Sequence, residues 1–247
     1  MKKFFRTIIV LSIVFLIIPK TVVYAKNINK STVNSESERG LHTAYISGYP
    51  DGSVKPEANI TRQEAAAVIY RLLVVNDEYE AVSNNFSDVG ADSWSNIAIS
   101  TLSSIGIISG YEDGTFKPES EITRAEVATI VSKLTSDKDS SMSFNDIDGH
   151  WAEEFILKAS GAGWVAGYTD GSFKPDDYIT RAEMIFLINV IFNRMPEDGT
   201  DLLSGMKTWS DNADETKWYY LAIQEASNTH EYVIKNNGHE RWNLVKN

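Results

Sequence analysis

The chain has 247 residues, 43% hydrophobic and 23% charged, a composition of one or two folded domains rather than of a disordered segment. It has no cysteine, which excludes disulfide frameworks, thiolate metal sites, thiol nucleophiles and a lipidated N-terminal Cys. The net charge of −11 works against nucleic acid and anionic membrane surfaces, so an anionic partner would need locally gathered cations.

The N-terminus reads as an address. Lys2, Lys3 and Arg6 precede an apolar run from Thr7 to Ile18, Pro19 ends it, and Val23-Tyr24-Ala25 puts small residues at −3 and −1 of a cleavage point. The run is short of the ~20 residues that span a bilayer, so residues 1–25 are expected to be a secretory signal peptide rather than an anchor. Without it, 19 basic residues face 34 acidic ones, a net −15. No second apolar stretch is long enough to span, so the exported chain is expected to have no membrane contact. Residues 26–40 are polar and aperiodic and read as a flexible lead-in.

Beyond the lead-in the chain is built on a repeat. Segments 46–72, 108–134 and 165–191 match one another. Their Gly-Tyr pairs begin at Gly48, Gly110 and Gly167, and their Thr-Arg pairs at Thr61, Thr123 and Thr180. Both series step by 62 and then 57. An upstream half-motif starts at Phe86 and again at Phe144, with Trp94 and Trp151 each 16 residues before their Gly-Tyr. A weaker copy occupies 209–229, with Trp218 in the tryptophan slot. The first repeat thus lacks a recognisable first half, and the C-terminus has a first half with no second. A lone half buries little, so 209–229 is expected to pack where the missing half of repeat 1 belongs and close a ring of three. The segments are repeat 1 at 41–75 (second half only), repeat 2 at 84–135, repeat 3 at 144–194 and a degenerate half-repeat at 209–247.

Each second half predicts a helix with a capping box: Thr61 with Glu64, Thr123 with Glu126, Thr180 with Glu183. Val127, Ile130, Val131 and Leu134 continue it as a helical apolar stripe. Each first half also predicts a helix, with Trp94, Ile97, Ala98, Leu102 and Ile105 on one face and Gly106 or Gly163 after its end. Between the halves, Gly-Tyr-x-Asp-Gly followed by Lys-Pro reads as a tight turn. The expected fold is mainly α: three helix-loop-helix units in a bundle, closed by the C-terminal half-repeat.

Phe-x-Asp, Trp, Gly-Tyr-x-Asp-Gly-x-Phe-x-Pro and Ile-Thr-Arg-Ala-Glu at fixed spacing resemble the S-layer homology (SLH) domain family. The resemblance covers 46–191 strongly and 209–238 weakly. It implies a pseudo-threefold bundle of three modules that anchors an exported protein, non-covalently, to a Gram-positive-type cell wall. The implied partner is a secondary cell wall polysaccharide carrying a pyruvate ketal. The implied binding element is Thr-Arg-Ala-Glu, at Thr123–Glu126 and Thr180–Glu183, with Thr61–Glu64 departing from it at Gln63.

Residue chemistry agrees in part with that resemblance. Arg62, Arg124 and Arg181 fall at the first position of helices, where free amides and the dipole favour anions, and a guanidinium grips a carboxylate bidentately. They are the leading ligand-binding candidates. Lys55, Lys117 and Lys174 are auxiliary anion contacts or plain solvated surface. Tyr49, Tyr111 and Tyr168 are sugar-edge contacts or turn residues. Gly48, Gly110 and Gly167 serve backbone geometry or offer amides. The Thr and Glu pairs are read as caps first. Trp94, Trp151 and Trp218 are read as core anchors rather than sugar-stacking platforms.

Catalysis has little support. His42, His150, His230 and His239 occupy no equivalent positions and form no HExxH pair, and no Gly-x-Ser-x-Gly elbow is present. No enzyme activity, cofactor or metal is expected. The expected location is the cell wall or S-layer. The alternatives are an assembly protein that contacts other S-layer subunits without binding glycan, and a wall-acting hydrolase.

Overall fold

A computed structural model describes residues 39–73, 86–135 and 142–246. The expected signal peptide, and the lead-in as far as residue 38, lie outside these. In chain order the elements are strand β1 (Arg39–His42) and helices α1 (Arg62–Leu73), α2 (Asn96–Ser104), α3 (Arg124–Ser132), α4 (Glu153–Gly161) and α5 (Arg181–Ile191). A 3-10 turn (Gly199–Asp201), helix α6 (Tyr220–Ser227) and strands β2 (Thr229–Ile234) and β3 (Glu240–Lys246) complete them. The protein is mainly α, with one small antiparallel sheet in the order β1-β2-β3.

The three repeats meet at a ring of backbone hydrogen bonds. Ile60 N donates to Ile179 O, Ile179 N to Ile122 O, and Ile122 N to Ile60 O, at 3.1–3.2 Å. All three isoleucine side chains are buried on this axis. The helix starts radiate from it, and each docks on a neighbouring repeat. The amides of Arg62 and Gln63 donate to Ser120 O and Pro118 O, those of Arg124 and Ala125 to Asp177 O and Pro175 O, and those of Arg181 and Ala182 to Ala58 O and Pro56 O. The next amide is taken by the cap: Thr123 Oγ1 accepts from Glu126 N and Thr180 Oγ1 from Glu183 N, with the glutamate reaching back in both. Thr61 and Glu64 make the same reciprocal pair. The expectation of free helix-start amides for an anion is therefore corrected. Crowding three helix starts round one axis spends those donors on neighbouring repeats and caps.

Each Phe-x-Asp element seals a turn. Asp88 accepts from the amides of Phe116 and Lys117, and Asp146 from those of Phe173 and Lys174. In the last copy, Asp211 accepts from Val54 N and Lys55 N at 2.9 and 2.7 Å, across the chain in repeat 1. The aromatic two residues earlier fixes the glycine of each Gly-Tyr. A Cβ on Gly110 would stand 2.3 Å from Phe86, on Gly167 2.5 Å from Phe144, and on Gly48 1.9 Å from Trp209. These glycines are needed for close approach of an aromatic ring. The lysines before proline, Lys55, Lys117 and Lys174, sit at φ of 49–56°, a left-handed conformation that costs a non-glycine residue about 1–2 kcal/mol.

Helix pairing keeps the same order: α1 packs on α2, α3 on α4, and α5 on α6. The end of α6 also receives the amides of Tyr45 and Ile46 at Ala226 O, much as Leu102 O receives those of Ile107 and Ile108.

The buried stripe of α2 keeps Ala98 and Leu102 of the expected face, but Trp94, Ile97 and Ile105 of that face are exposed. Ser95, Ala98, Ile99 and Leu102 face inward, as do Ala152, Ile156 and Ala159, and Tyr219, Ala222, Ile223 and Ala226. Trp94, Trp151 and Trp218 are 60%, 60% and 58% exposed, which overturns their reading as core anchors. At each tryptophan the residue that follows it (Ser95, Ala152 or Tyr219) is smaller and goes inside in its place.

Two further differences lie at the ends. Arg39 and Gly40, placed in the lead-in, belong to β1, which pairs Arg39 with Val233 and His42 with His230. Residues 229–246, counted with the degenerate half-repeat, form the β2–β3 hairpin, with a bulge at Glu231/Tyr232.

The Asp211 contact yields a test. Asp211→Ala leaves the Val54 and Lys55 amides without their carboxylate. It is expected to cost about 1.5–3 kcal/mol in urea denaturation, as much as Asp88→Ala does in repeat 2. A loss confined to Asp88→Ala would show that the C-terminal segment does not hold the repeat 1 turn.

Candidate functional site

The packing leaves three grooves, each lined by more than one repeat. In the first, Arg62 reaches from repeat 1 into repeat 2. Its Nε donates to Phe116 O, Nη1 to Glu126 Oε1 at 2.7 Å and Nη2 to Ser109 O, and its guanidinium lies over the Tyr111 and Phe116 rings. In the second, Arg124 reaches into repeat 3, donates to Phe173 O and Ala166 O, and lies over Tyr168. In the third, Arg181 reaches back into repeat 1, donates to Val54 O, Glu64 Oε1 and Ser47 O, and lies over Tyr49. The arginines thus sit beside the tyrosine of another repeat, not of their own.

The capping glutamates divide their two oxygens. Glu126 Oε2 caps the Thr123 amide while Oε1 accepts from Arg62 and from the Tyr111 hydroxyl at 2.8 Å. Glu64 likewise caps Thr61 and accepts from Tyr49 and Arg181. Glu183 caps Thr180, but no ion pair joins it to Arg124 among the described residues. Arg62 and Arg181 are therefore buried, clamped guanidiniums, whereas Arg124 is half-buried and less tied. Lys55, Lys117 and Lys174 place Nζ 4.1–4.3 Å from the centroids of Tyr49, Tyr111 and Tyr168, so each of these tyrosines carries two cations, although only Tyr49 and Tyr111 line their grooves and the three lysines line none.

Each groove has an exposed tryptophan from a first half. Trp151 lines the Arg62 groove, Trp218 the Arg124 groove and Trp94 the Arg181 groove. The cavities differ: about 470 Å³, 290 Å³ and 160 Å³ in that order. A position nine residues into each second-half helix also lines them and was missed from the sequence. It is Lys133 in the first, whose Nζ donates to Gly106 O and Ile107 O, and Arg71 in the third, bonded to Tyr45 O. In the second it is Val190, where Phe186 and Trp218 form an edge-to-face pair with ring centres 5.7 Å apart. Two grooves thus hold a second cation and one is more apolar. Counting from the start of each helix would have shown this position, had the three helices been aligned beyond their motifs.

Gly48 and Gly110 line their grooves, while Gly167 does not line the Arg124 groove. Gln63 lies outside all three. It is buried, donates to Glu119 and accepts from Ser95, in place of the alanine contact found at the equivalent Ala125. The departure from Thr-Arg-Ala-Glu is thus an internal packing exchange.

Segments 43–66, 85–128 and 143–185 match the S-layer homology domain. The chain belongs to the SLH family. It is 41% identical to Cell surface glycoprotein 1 of Acetivibrio thermocellus over 84% of this chain and 9% of that protein. With the Cellulosome-anchoring protein of the same organism it shares 36% identity over 81% of this chain and 46% of the relative. The S-layer protein sap of Bacillus anthracis is 37% identical over 44% of this chain and 14% of its own length. The SLH chain therefore spans less than half of each of these relatives. Among the described residues no helix is long and apolar enough to cross a membrane.

The titration of Glu64 is set by its contacts. Burial would raise it, but the Tyr49 hydroxyl, the Thr61 amide and hydroxyl, and Arg181 together hold its carboxyl below the ordinary 4.5. Burial and the bond to Glu64 in turn push the Tyr49 phenol up to about 12. A carboxyl depressed in the folded state contributes stability above the unfolded pKa and loses it as pH falls through the folded one. Glu64→Gln is therefore expected to melt lower near neutrality and to lose less on acidification below 4.5 than the parent protein does. Parallel acid limbs in the two melting profiles would contradict this.

Proposed function

We propose that this chain is a non-catalytic cell-wall anchor. It binds a secondary cell wall polysaccharide, pyruvylated on its sugar, through the three inter-repeat grooves, with residues 209–229 completing the first module. The protein is secreted and cell-wall associated. The observation that carries this reading is the pairing, three times over, of an exposed tryptophan with a fixed guanidinium across one groove. An aromatic face suits the apolar face of a sugar ring, and a desolvated cation suits a ketal carboxylate. An acidic body that sets cations in such grooves selects a polymer with spaced negative charges over a uniformly anionic surface.

The side chains take different parts. Arg62 and Arg181 use their donors on carbonyls and on a glutamate, so they shape the groove and set its field. Lys133 and Arg71, which line their grooves, are the cations that meet a carboxylate directly. Arg124, without a glutamate partner, meets it itself. Tyr49, Tyr111 and Tyr168 hold the cations in place, and Trp94, Trp151 and Trp218 take the sugar. Three modest sites on one polymer gain by effective concentration.

The test is cosedimentation with cell walls before and after the wall polysaccharide is extracted. Trp151→Ala and Lys133→Ala sit in the largest groove and leave the axis untouched. Each is expected to retain the parent's circular dichroism and to weaken wall binding about tenfold, the equivalent of one lost contact of roughly 1.4 kcal/mol. Arg124→Ala with Arg181→Ala is expected to remove most of the remainder. Binding that survives both extraction and these substitutions would instead favour contacts with other S-layer subunits.

A further inference from the structure

The repeats do not use a second cluster, formed where the sheet closes on α6. His42 comes from β1, Glu225 from α6, His230 from β2 and Glu240 from β3, and one ligand atom from each lies within 4.8 Å of all the others. His42 Nδ1 stands 3.1 Å from Glu225 Oε1 and 3.0 Å from Glu240 Oε2. His230 Nε2 stands 3.1 Å from Glu225 Oε2 and 3.7 Å from Glu240 Oε1. Both imidazoles therefore face the same two carboxylates round one common point. His230, Glu225 and Glu240 are buried, and His42 forms the partly exposed edge.

We infer that His42, Glu225, His230 and Glu240 form a structural site for one divalent transition-metal ion of the zinc class.

Three features carry this inference. First, His230 Nε2 and both Glu240 oxygens are buried and make no hydrogen bond, despite their short separations. Groups so costly to leave unpaired converge on a place where a shared cation would satisfy them together. Second, the surroundings orient the ligands as an outer shell does. His230 Nδ1 faces Asn228 O at 2.9 Å, which puts a proton there and turns the Nε2 lone pair inward. Arg194 Nε and Trp242 Nε1 each donate to a Glu225 oxygen at 3.0 Å, and Trp242 stacks on His230. Third, the donor set fits. Two imidazoles and two carboxylates, with no thiolate in the chain, suit zinc, whereas calcium and magnesium call for six or more oxygens. Tetrahedral bonds of about 2.0–2.2 Å place ligand atoms roughly 3.3–3.6 Å apart, within the spread of these contacts.

Two carboxylates in so small a space also need more positive charge than Arg194 supplies. With all four ligands from the protein and none left open, the ion would be structural. It would tie β1, at the start of repeat 1, to the last helix and hairpin.

The full chain, purified without chelator, is to be assayed for metal content, for visible absorption after Co2+ loading, and for melting temperature with Zn2+ or with EDTA. The expected result is one Zn2+ per chain, a tetrahedral Co2+ spectrum, and a melting temperature lowered by EDTA and restored by Zn2+. Glu240→Gln keeps the shape of the site and His42→Ala removes its exposed edge. Both are expected to bind Zn2+ at least about a hundredfold more weakly and to melt at a temperature indifferent to EDTA. Metal well below one per chain with a melting temperature unmoved by Zn2+ or EDTA would overturn the inference and leave a protonated His230 as the balancing charge. Equal stabilisation of parent and variants by Zn2+ would overturn it as well, because the ion would then bind elsewhere.

Discussion

The ring in which Ile60, Ile122 and Ile179 each donate one backbone hydrogen bond to the next fixes where everything else lies. It brings three helix starts to one axis, and three positive dipole ends would repel one another there. Two things offset that cost. Each helix gives its first two amides to carbonyls of a neighbouring repeat, and each first turn carries a capping glutamate. The consequence for function is direct. A helix start is a general anion site only while its amides are free, and here they are not. In the proposed function, anion recognition passes from backbone to side chains, at the outer ends of the same interfaces.

Because every arginine reaches into another repeat, no repeat owns a groove. Arg62 needs Tyr111 and Glu126, Arg124 needs Tyr168, and Arg181 needs Tyr49 and Glu64. Closing the circle is thus a condition for three grooves rather than two. Trp209 against Gly48 and Asp211 under the 54–55 amides perform in repeat 1 what Phe86 and Asp88 perform in repeat 2. The grooves are related but not alike. Lys133 and Arg71 make two of them doubly cationic, while Val190 and Phe186 make the Arg124 groove more apolar. A polymer bound as proposed would meet three sites of different character.

Much of this was legible in the sequence because it rests on local chemistry. Thr and Glu three residues apart specify a cap whatever surrounds them, and the repeated Gly-Tyr and Phe-x-Asp spacing specifies one turn three times. What was illegible depends on partners distant in the chain. The stripe in α2 was legible at Ala98 and Leu102 but not at Trp94, because the apolar pattern points to the tryptophan as inward whereas the polar Ser95 takes the buried place. Ser95 is held inside by a buried hydrogen bond that it donates to Gln63 of α1, a partner distant in the chain. The direction of the arginines could not be read, because a side chain at a helix start is free to turn to its own turn or to the neighbouring one. His42 and His230 are brought together only by the pairing of β1 with β2, for which the sequence carried no repeat signal.

The central claim is that the three repeats form one body, held at the axis and open at the grooves. Amide hydrogen exchange at Ile60, Ile122 and Ile179 tests it most directly. The account predicts that these three amides exchange together and among the slowest in the chain, at the rate of global unfolding. An axis amide that exchanged well ahead of the other two would contradict it, because one repeat could then open while the grooves on either side of it were still supposed to stand.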